Sequence, residues 1–280
     1  MGASSYNCDN KEELISKPIN ASKQGPGIPE KINFNNDARF FMVFDILGDI
    51  ERTGPHLWQI ERDRLEDVKN HVLDLMLMVR ILRKYLPDEL DYEKINDYIL
   101  LHDLPEVITG DITKFEGVSN EEIKRVTGIA IEYLGETFGD VLDIRGILED
   151  YEARVDLESK VVNMLDKVHS STTFMKYESE KHVDMDDSRI IPELRNNPFV
   201  VDKIAEGKDL ADIFYEFHIR AVNFSDEECC KYGISREYAD SIVTVIRGFA
   251  DEMYAQKVSR TLLDGKKHFP QKAMIYNRNN

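Results

Sequence analysis

The chain has 280 residues, of which 42% are hydrophobic and 32% charged, so it can fill a sizeable core and keep a charged surface. Its formal net charge of −17 argues against a nucleic-acid partner, because binding to phosphate backbones needs clustered lysine and arginine. No segment approaches the roughly 18 consecutive apolar residues of a membrane span, so we expect no membrane partner. Three cysteines and a polar start predict neither a disulfide framework nor a secretory signal, and they favour a cytoplasmic protein.

The first predicted elements are an extension, a helix and a loop. Residues 1–36 are polar and rich in asparagine, lysine, glycine and proline, which predicts a flexible N-terminal extension. From residue 37 the apolar spacing is helical, and five residues are predicted on one side of that helix: Phe40, Phe41, Val43, Phe44 and Leu47. The segment ERTGPHLWQIERDR interrupts the pattern, and its Gly54-Pro55 pair predicts a loop.

Longer helices are predicted after this loop. Pro87 marks the end of the first of them, and Ser119 with Glu122 forms a capping-box pattern that predicts the start of the third. By apolar spacing these helices span residues 65–86, 92–103, 120–139 and 156–177.

The last hundred residues continue the helical pattern. A break is predicted at PELRNNP, followed by helices within KDLADIFYEFHIRAV and SREYADSIVTVIRGFADEMYAQKV. No alternating strand pattern and no internal repeat is present in the sequence. The predicted fold is therefore all-α, with one helical domain at residues 37–180 and an additional helical region, residues 181–280, packed on it.

Two histidines and two aspartates stand out on apolar helix faces. They are His71 in the 65–86 helix, the pair His102-Asp103 at the end of the next helix, and Asp166 in the 156–177 helix. A purely structural interpretation of these residues is also open. A histidine among leucines is usually a core residue whose hydrogen bonds are made within the protein, and Asp166 could pair with Lys167. Together they form a donor set that suits a first-row transition metal. A bound cation would also explain how buried carboxylates are neutralised.

The order His…His-Asp…Asp on separate helices resembles the HD-domain metal-dependent phosphohydrolases. Within that family, HDLPEVITGDI is similar to the HD-x-x-E-x-x-x-G-D stretch of the YfbR-type 5′-deoxynucleotidase branch. ERTG resembles the arginine segment of that branch, and LEDVKNH resembles its E-S-V-x-E-H motif. The resemblance covers about residues 37–180 and implies an HD-domain helical bundle. One departure is that the tryptophan after RTG is displaced to Trp58.

The resemblance implies a role for each residue of the motifs. His71, His102, Asp103 and Asp166 would bind one divalent transition metal, for which manganese, cobalt or iron fit and magnesium is an alternative. Glu106 would position or deprotonate the attacking water, Asp111 would help protonate the leaving 5′-oxygen, and Arg52 would bind the phosphate. The implied reaction is hydrolysis of (deoxy)nucleoside 5′-monophosphates to a nucleoside and phosphate.

Three alternatives remain open from the sequence. The same metal site serves HD hydrolases of dNTPs, cyclic nucleotides or other phosphorylated nucleotides. It could also persist in a non-catalytic regulatory protein that binds nucleotide and metal. A homodimer is a further option, because the apolar face of SIVTVIRGFA fits either an interface or the core.

Overall fold

The computed structural model describes residues 35–258. Helices joined by loops make up this range. No β-strand occurs in this range, where the only extended pairing is a single antiparallel bridge between Glu51 and Asp67. The predicted all-α class is therefore confirmed, whereas the predicted extension at 1–36 lies almost entirely outside the described residues. The helices, numbered in chain order, are α1 (Asn36–Asp45), α2 (Thr53–Leu57), α3 (Val68–Leu82), α4 (Tyr92–Leu101), α5 (Glu106–Thr109), α6 (Asn120–Phe138), α7 (Ile144–Ala153), α8 (Leu157–Ser179), α9 (Pro192–Arg195), α10 (Pro198–Ala205), α11 (Leu210–Ile219), α12 (Asp226–Tyr232) and α13 (Arg236–Val258).

Helix α1 bears out the first predicted helix, with one correction. Phe40 and Val43 are buried, as is Leu47 in the 3₁₀ turn that follows, but Phe41 is 68% exposed. Placing Phe41 on the same side was wrong because neighbouring helical residues point about 100° apart, whereas residues three, four and seven apart share a face.

The predicted loop before His71 is more structured than the sequence indicated, and the helix that follows it is shorter. The predicted loop contains the short helix α2, and α3 begins at Val68 rather than at residue 65. The later start has a clear cause, because the Asp67 side chain accepts a hydrogen bond from the backbone N of Asn70 at 2.8 Å and caps the helix.

The long helix α8 forms the centre of the molecule. Its N-terminus is capped by Asp156, whose side chain accepts from the backbone N of Ser159 at 2.8 Å. Helices α3, α4, α11 and α13 all pack against it. Side chains such as Leu75, Ile95 and Leu165 fill the core between these helices and are fully buried. Asp166, at mid-helix, is thereby held against α3 and α4.

The described C-terminal helices belong to the same packed assembly. The predicted break at PELRNNP is a short helix, α9, followed at Pro198 by α10. On α13, Ile242 and Ile246 are fully buried, so the apolar face of SIVTVIRGFA is core rather than a surface. A domain boundary at residue 180 stays a prediction. No helix in the described part of the chain is both long and apolar enough to cross a bilayer.

Candidate active site

Three side chains, those of His71, His102 and Asp103, offer ligand atoms that all lie within 4.8 Å of one another, and Asp166 approaches this group at His71. His71 lies in the first turn of α3, His102 and Asp103 directly follow α4, and Asp166 is on α8. His71 Nε2 is 3.3 Å from His102 Nε2, 3.5 Å from Asp103 Oδ2 and 3.4 Å from Asp166 Oδ1. His102 Nε2 is 3.2 Å from Asp103 Oδ2. The four residues singled out in the sequence are thus brought together.

These distances suit a metal ion. Ligand atoms about 2.0–2.2 Å from one ion lie roughly 3–3.5 Å from each other, which is the separation found here. His102 is oriented for this role, since its Nδ1 lies 2.9 Å from the carbonyl oxygen of Ile99 and can donate to it. That hydrogen bond leaves Nε2 with a free lone pair facing His71 and Asp103.

The protonation states also suit a metal, because ligands must be deprotonated to bind. Burial, followed by the nearby charge of Arg52, lowers the pKa of His71 to about 3. Burial alone would raise the pKa of Asp103, but the adjacent His102, His71 and Arg52 lower it below its usual range. The pKa of His102 is raised, against the effect of its burial, by Asp103 and Asp166, so a cation would take the place of that proton.

Asp166 faces two cations at once. Its Oδ1 points at His71, and its Oδ2 accepts from Lys167 Nζ at 2.6 Å. Burial would raise the pKa of Asp166, but Lys167 and His71 lower it well below its usual range. The ordinary pairing with Lys167 therefore occurs, and it leaves Asp166 ionised with one oxygen turned toward the cluster.

Glu106 opens α5, beside the His/Asp cluster. Its Oε2 is buried and has no hydrogen-bond partner among the described residues. Burial, together with the neighbouring charges of Asp103 and Asp111, raises the pKa of Glu106 well above its usual range. An orphaned carboxylate oxygen of this kind can take a proton from, or orient, a water molecule placed next to it.

Asp111 lies beside the start of α2. Gly110, with φ +71°, makes the turn that brings it there. The backbone N of Thr53 donates to Asp111 Oδ2 at 2.5 Å, and the Thr53 hydroxyl donates to the Asp111 carbonyl. Burial raises the pKa of Asp111, although the charge of Arg52 opposes this. A cleft of about 270 Å³ adjoins both residues and is also lined by His56 and Arg64.

Arg52 lies among the carboxylates. Its Nη1 donates to Asp103 Oδ2 at 3.1 Å, and its side chain is 19% exposed. Burial would lower the pKa of Arg52, but Asp111, Asp103 and other nearby carboxylates raise it. The guanidinium is a permanent positive charge with several donors, suited to a phosphate placed next to the cluster.

Sequence reasoning missed His169, which is buried against His71. The two Nδ1 atoms are 2.8 Å apart, and His169 Nε2 approaches Asp74 and Glu66. Its place three residues after Asp166 on one helix face was the available signal. Trp58 lies away from the cluster, 4% exposed in a core with Phe214.

Fold and site together define a helical protein with a His/Asp cluster that could hold a metal ion, and the comparisons with known proteins agree with this class. Residues 44–200, more than half of the chain, match the HD domain family, and the chain belongs to that family. The 5′-deoxynucleotidase HDDC2 of Xenopus laevis is 27% identical over 142 residues, covering 50% of this chain and 68% of the relative. The human protein of that name is 25% identical over 146 residues, covering 51% and 69% respectively.

Proposed function

We propose that this chain is a metal-dependent phosphohydrolase that releases phosphate from (deoxy)nucleoside 5′-monophosphates. The observation that carries the proposal is the convergence of two histidines and two aspartates beside a buried, unpaired glutamate oxygen. The names of the HDDC2 relatives support a nucleoside monophosphate as the substrate class.

The proposed metal ligands are His71, His102, Asp103 and Asp166, which would hold one divalent transition ion. Manganese, cobalt or iron fits a donor set of two imidazoles and two carboxylates, with magnesium as the alternative. When bound, the ion supplies Lewis acidity and lowers the pKa of water in the site.

Three further residues carry the rest of the proposed reaction. Arg52 binds the phosphate, turning from Asp103 toward its oxygens. Glu106 accepts a proton from the attacking water, whose oxygen forms a new bond to phosphorus. Asp111, in its protonated form, gives a proton to the leaving 5′-oxygen as the P–O bond breaks, a role that burial supports by raising the pKa of Asp111. The cleft beside Asp111 would accommodate the nucleoside.

Phosphate release from a panel of nucleotides tests this function. Metal-stripped protein is resupplied with Mn²⁺, Co²⁺ or Mg²⁺ and given ribo- and deoxynucleoside monophosphates. We expect metal-dependent release that is lost in Asp103→Ala and Glu106→Ala and kept in Asp97→Ala, an exposed aspartate of α4. No release with any metal, from protein that binds the ion, would refute the proposal and favour a regulatory binding role.

A polyphosphate or cyclic substrate is the second candidate. A triphosphate carries more negative charge, yet the described cations next to the cluster are Arg52 and Lys167, and Lys167 is already paired with Asp166. The small number of cations next to the cluster favours a monophosphate substrate over a triphosphate. Adding dNTPs and cyclic nucleotides to the panel separates the classes by product, because a dNTP hydrolase of the triphosphate-releasing kind yields tripolyphosphate instead of phosphate.

We also propose that two copies of the chain pair through the outer face of α3. Three large apolar residues at four-residue spacing are exposed on this face, Leu73, Leu77 and Ile81, and Tyr85 is exposed three residues beyond its end. In an antiparallel pair whose two-fold axis passes between Leu77 and Ile81, each Leu77 faces Ile81 of the second copy, so the apolar contacts are self-complementary. We expect a dimer in sedimentation that Leu77→Glu converts to monomer; a monomeric wild type at all concentrations would contradict this.

A cytoplasmic location is part of the proposal. Both described cysteines, Cys229 and Cys230, are free, which suits a reducing compartment. Fractionation of cells that produce the protein would test it, with recovery from a secretory compartment as the contradicting result.

A further inference from the structure

The buried imidazole of His169 is the strongest feature that the proposed reaction does not use. His169 is 3% exposed and lies one helical turn beyond Asp166 on α8. Its ring packs at a steep angle on that of His71, with the centroids 4.7 Å apart. Since a buried imidazole normally has hydrogen-bond partners for both ring nitrogens, the partners of His169 indicate its role.

The contact between the two imidazoles fixes where their protons lie. His71 Nδ1 and His169 Nδ1 are 2.8 Å apart, a hydrogen-bond distance that requires one donor and one acceptor. His71 Nε2 faces the other three ligands, so it must be the bare nitrogen when it binds a cation. The proton of a neutral His71 therefore lies on Nδ1 and is donated to His169.

The second ring nitrogen of His169, Nε2, has a carboxylate acceptor nearby. With its Nδ1 accepting from His71, a neutral His169 carries its proton on Nε2. The nearest carboxylate oxygens are Asp74 Oδ2 at 3.4 Å and Glu66 Oε1 at 3.8 Å. Glu66 already accepts from the Thr173 hydroxyl at 3.0 Å, which leaves Asp74 as the closer acceptor.

A second metal ion is the alternative explanation of these contacts. Glu66, His71 and His169 could ligate a cation, but the cluster shares His71 with the four-ligand site. A neutral imidazole has one bare nitrogen, so His71 cannot serve both ions. Its Nε2 has three donor atoms within 3.5 Å, whereas its Nδ1 has one, and this favours the four-ligand site.

We propose that His169 is a positioning residue that holds His71 in its Nδ1–H tautomer, itself oriented by the carboxylate of Asp74. This hydrogen-bonded relay, Asp74–His169–His71, rests on the proposed function, because it acts on a ligand of the proposed ion. Outer partners of ligating histidines generally contribute 10–100-fold in metal affinity or activity. His169 makes no contact with the substrate in this proposal.

Metal affinity, measured without any substrate, tests the relay. Metal-free protein is titrated with Co²⁺ and followed by its visible absorption. We expect His169→Phe to weaken Co²⁺ binding about 10–100-fold, and His169→Asn to restore most of the loss, because an amide oxygen can accept from His71 Nδ1. Asp74→Asn should weaken binding less. The control is His218→Phe, at a partly buried histidine on α11 that contacts Ser171 instead of a proposed ligand.

The outcomes separate the relay from the function it rests on. Unchanged Co²⁺ affinity in His169→Phe overturns the relay and leaves the phosphohydrolase proposal intact. A second Co²⁺ per chain that is lost in His169→Phe, with the first unaffected, also overturns it in favour of a second site. A wild-type protein that binds no Co²⁺ overturns both proposals.

Ring-nitrogen NMR keeps the test decisive if His169→Phe does not fold. In wild-type protein labelled with ¹⁵N-histidine and loaded with the diamagnetic ion Zn²⁺, we expect His71 as the Nδ1–H tautomer and His169 as the Nε2–H tautomer. Finding the proton of His169 on Nδ1 would overturn the relay without any variant at position 169.

Discussion

At the scale of a single residue, a change at Glu106 should affect the chemical step and leave metal binding unchanged. Its buried Oε2 has no hydrogen-bond partner within residues 35–258, and it is not one of the four proposed ligands. We predict that Glu106→Gln lowers kcat by about 10²–10⁴-fold, the usual contribution of a general base, while metal content is unchanged. Activity is measured by phosphate release and metal by elemental analysis. A variant that loses its metal, or that keeps full kcat, contradicts this role.

Arg52 should act on substrate binding. Its guanidinium can bind two phosphate oxygens, a geometry that an ammonium group does not reproduce. We predict that Arg52→Lys lowers kcat/KM about 10–100-fold, the equivalent of about 1.5–3 kcal/mol for a hydrogen bond to a charged group, mainly through a higher KM. Arg62→Lys, at an arginine that pairs with Glu180, is the matched control. An unchanged KM would remove Arg52 from the phosphate site.

The site residues were predictable to different degrees. His71, His102, Asp103 and Asp166 could be selected because each lies on an apolar helix face, where a charged group needs a partner. His169 could not be selected, because its role depends on a contact across two helices between residues 98 positions apart. Single-sequence spacing describes one helix face at a time and not the pairing of faces.

At the scale of elements, the cap of α8 holds the position of Asp166. The Asp156 carboxylate accepts from Ser159 N at 2.8 Å and from the Tyr98 hydroxyl at 2.7 Å, and it pairs with Lys94. We predict that Asp156→Ala lowers the free energy of unfolding by about 2–4 kcal/mol, since it removes a cap and leaves a buried hydroxyl unpaired. Urea denaturation measures this.

The matched control and the pH dependence sharpen that prediction. Asp143→Ala removes the cap of α7, a bond to Gly146 N at 3.1 Å, and should cost about 1 kcal/mol. Burial would raise the pKa of Asp156, but Lys94 and the other donors lower it. Its stabilisation is therefore present above about pH 4 and is lost as the pH falls through the folded-state pKa. Equal losses in the two variants at neutral pH would contradict the network.

The helices themselves were largely predictable, and their ends less so. Apolar spacing located α3, α4, α6 and α8, but α3 begins three residues late because of the cap at Asp67. Phe41 was misassigned because a run of apolar residues does not say which ones face the core. Capping bonds and neighbouring faces decide such details, and both depend on tertiary contacts.

At the scale of the whole molecule, the C-terminal helices support the segment that carries Arg52. Phe214 on α11 stacks on Phe174 of α8 at 3.7 Å and meets Trp58, just after α2, edge-on at 6.0 Å. Trp58 is the sole tryptophan of the chain, so its fluorescence reports on this contact. The sequence predicted helices here but not which surface they cover, because that depends on long-range packing.

This packing predicts one cooperative unit. Tryptophan fluorescence and far-ultraviolet circular dichroism should report one coincident unfolding transition in urea. We predict that Phe214→Ala, at a partly buried phenylalanine, lowers the free energy of unfolding by about 2–3 kcal/mol and shifts both signals together. Phe217→Ala, at a half-exposed phenylalanine of the same helix, should have a smaller effect. A separate, earlier fluorescence transition in the wild type would show that the C-terminal helices unfold independently.

We propose that one ion, held by His71, His102, Asp103 and Asp166, makes this chain a nucleotide phosphohydrolase. This is tested most directly by adding Co²⁺ in small increments to metal-free protein while phosphate release from a deoxynucleoside 5′-monophosphate is measured. We predict that the rate rises with each increment and reaches a plateau at one equivalent per chain, with no such rise in Asp166→Ala. A plateau at two equivalents, or release that needs no added ion, would contradict the account.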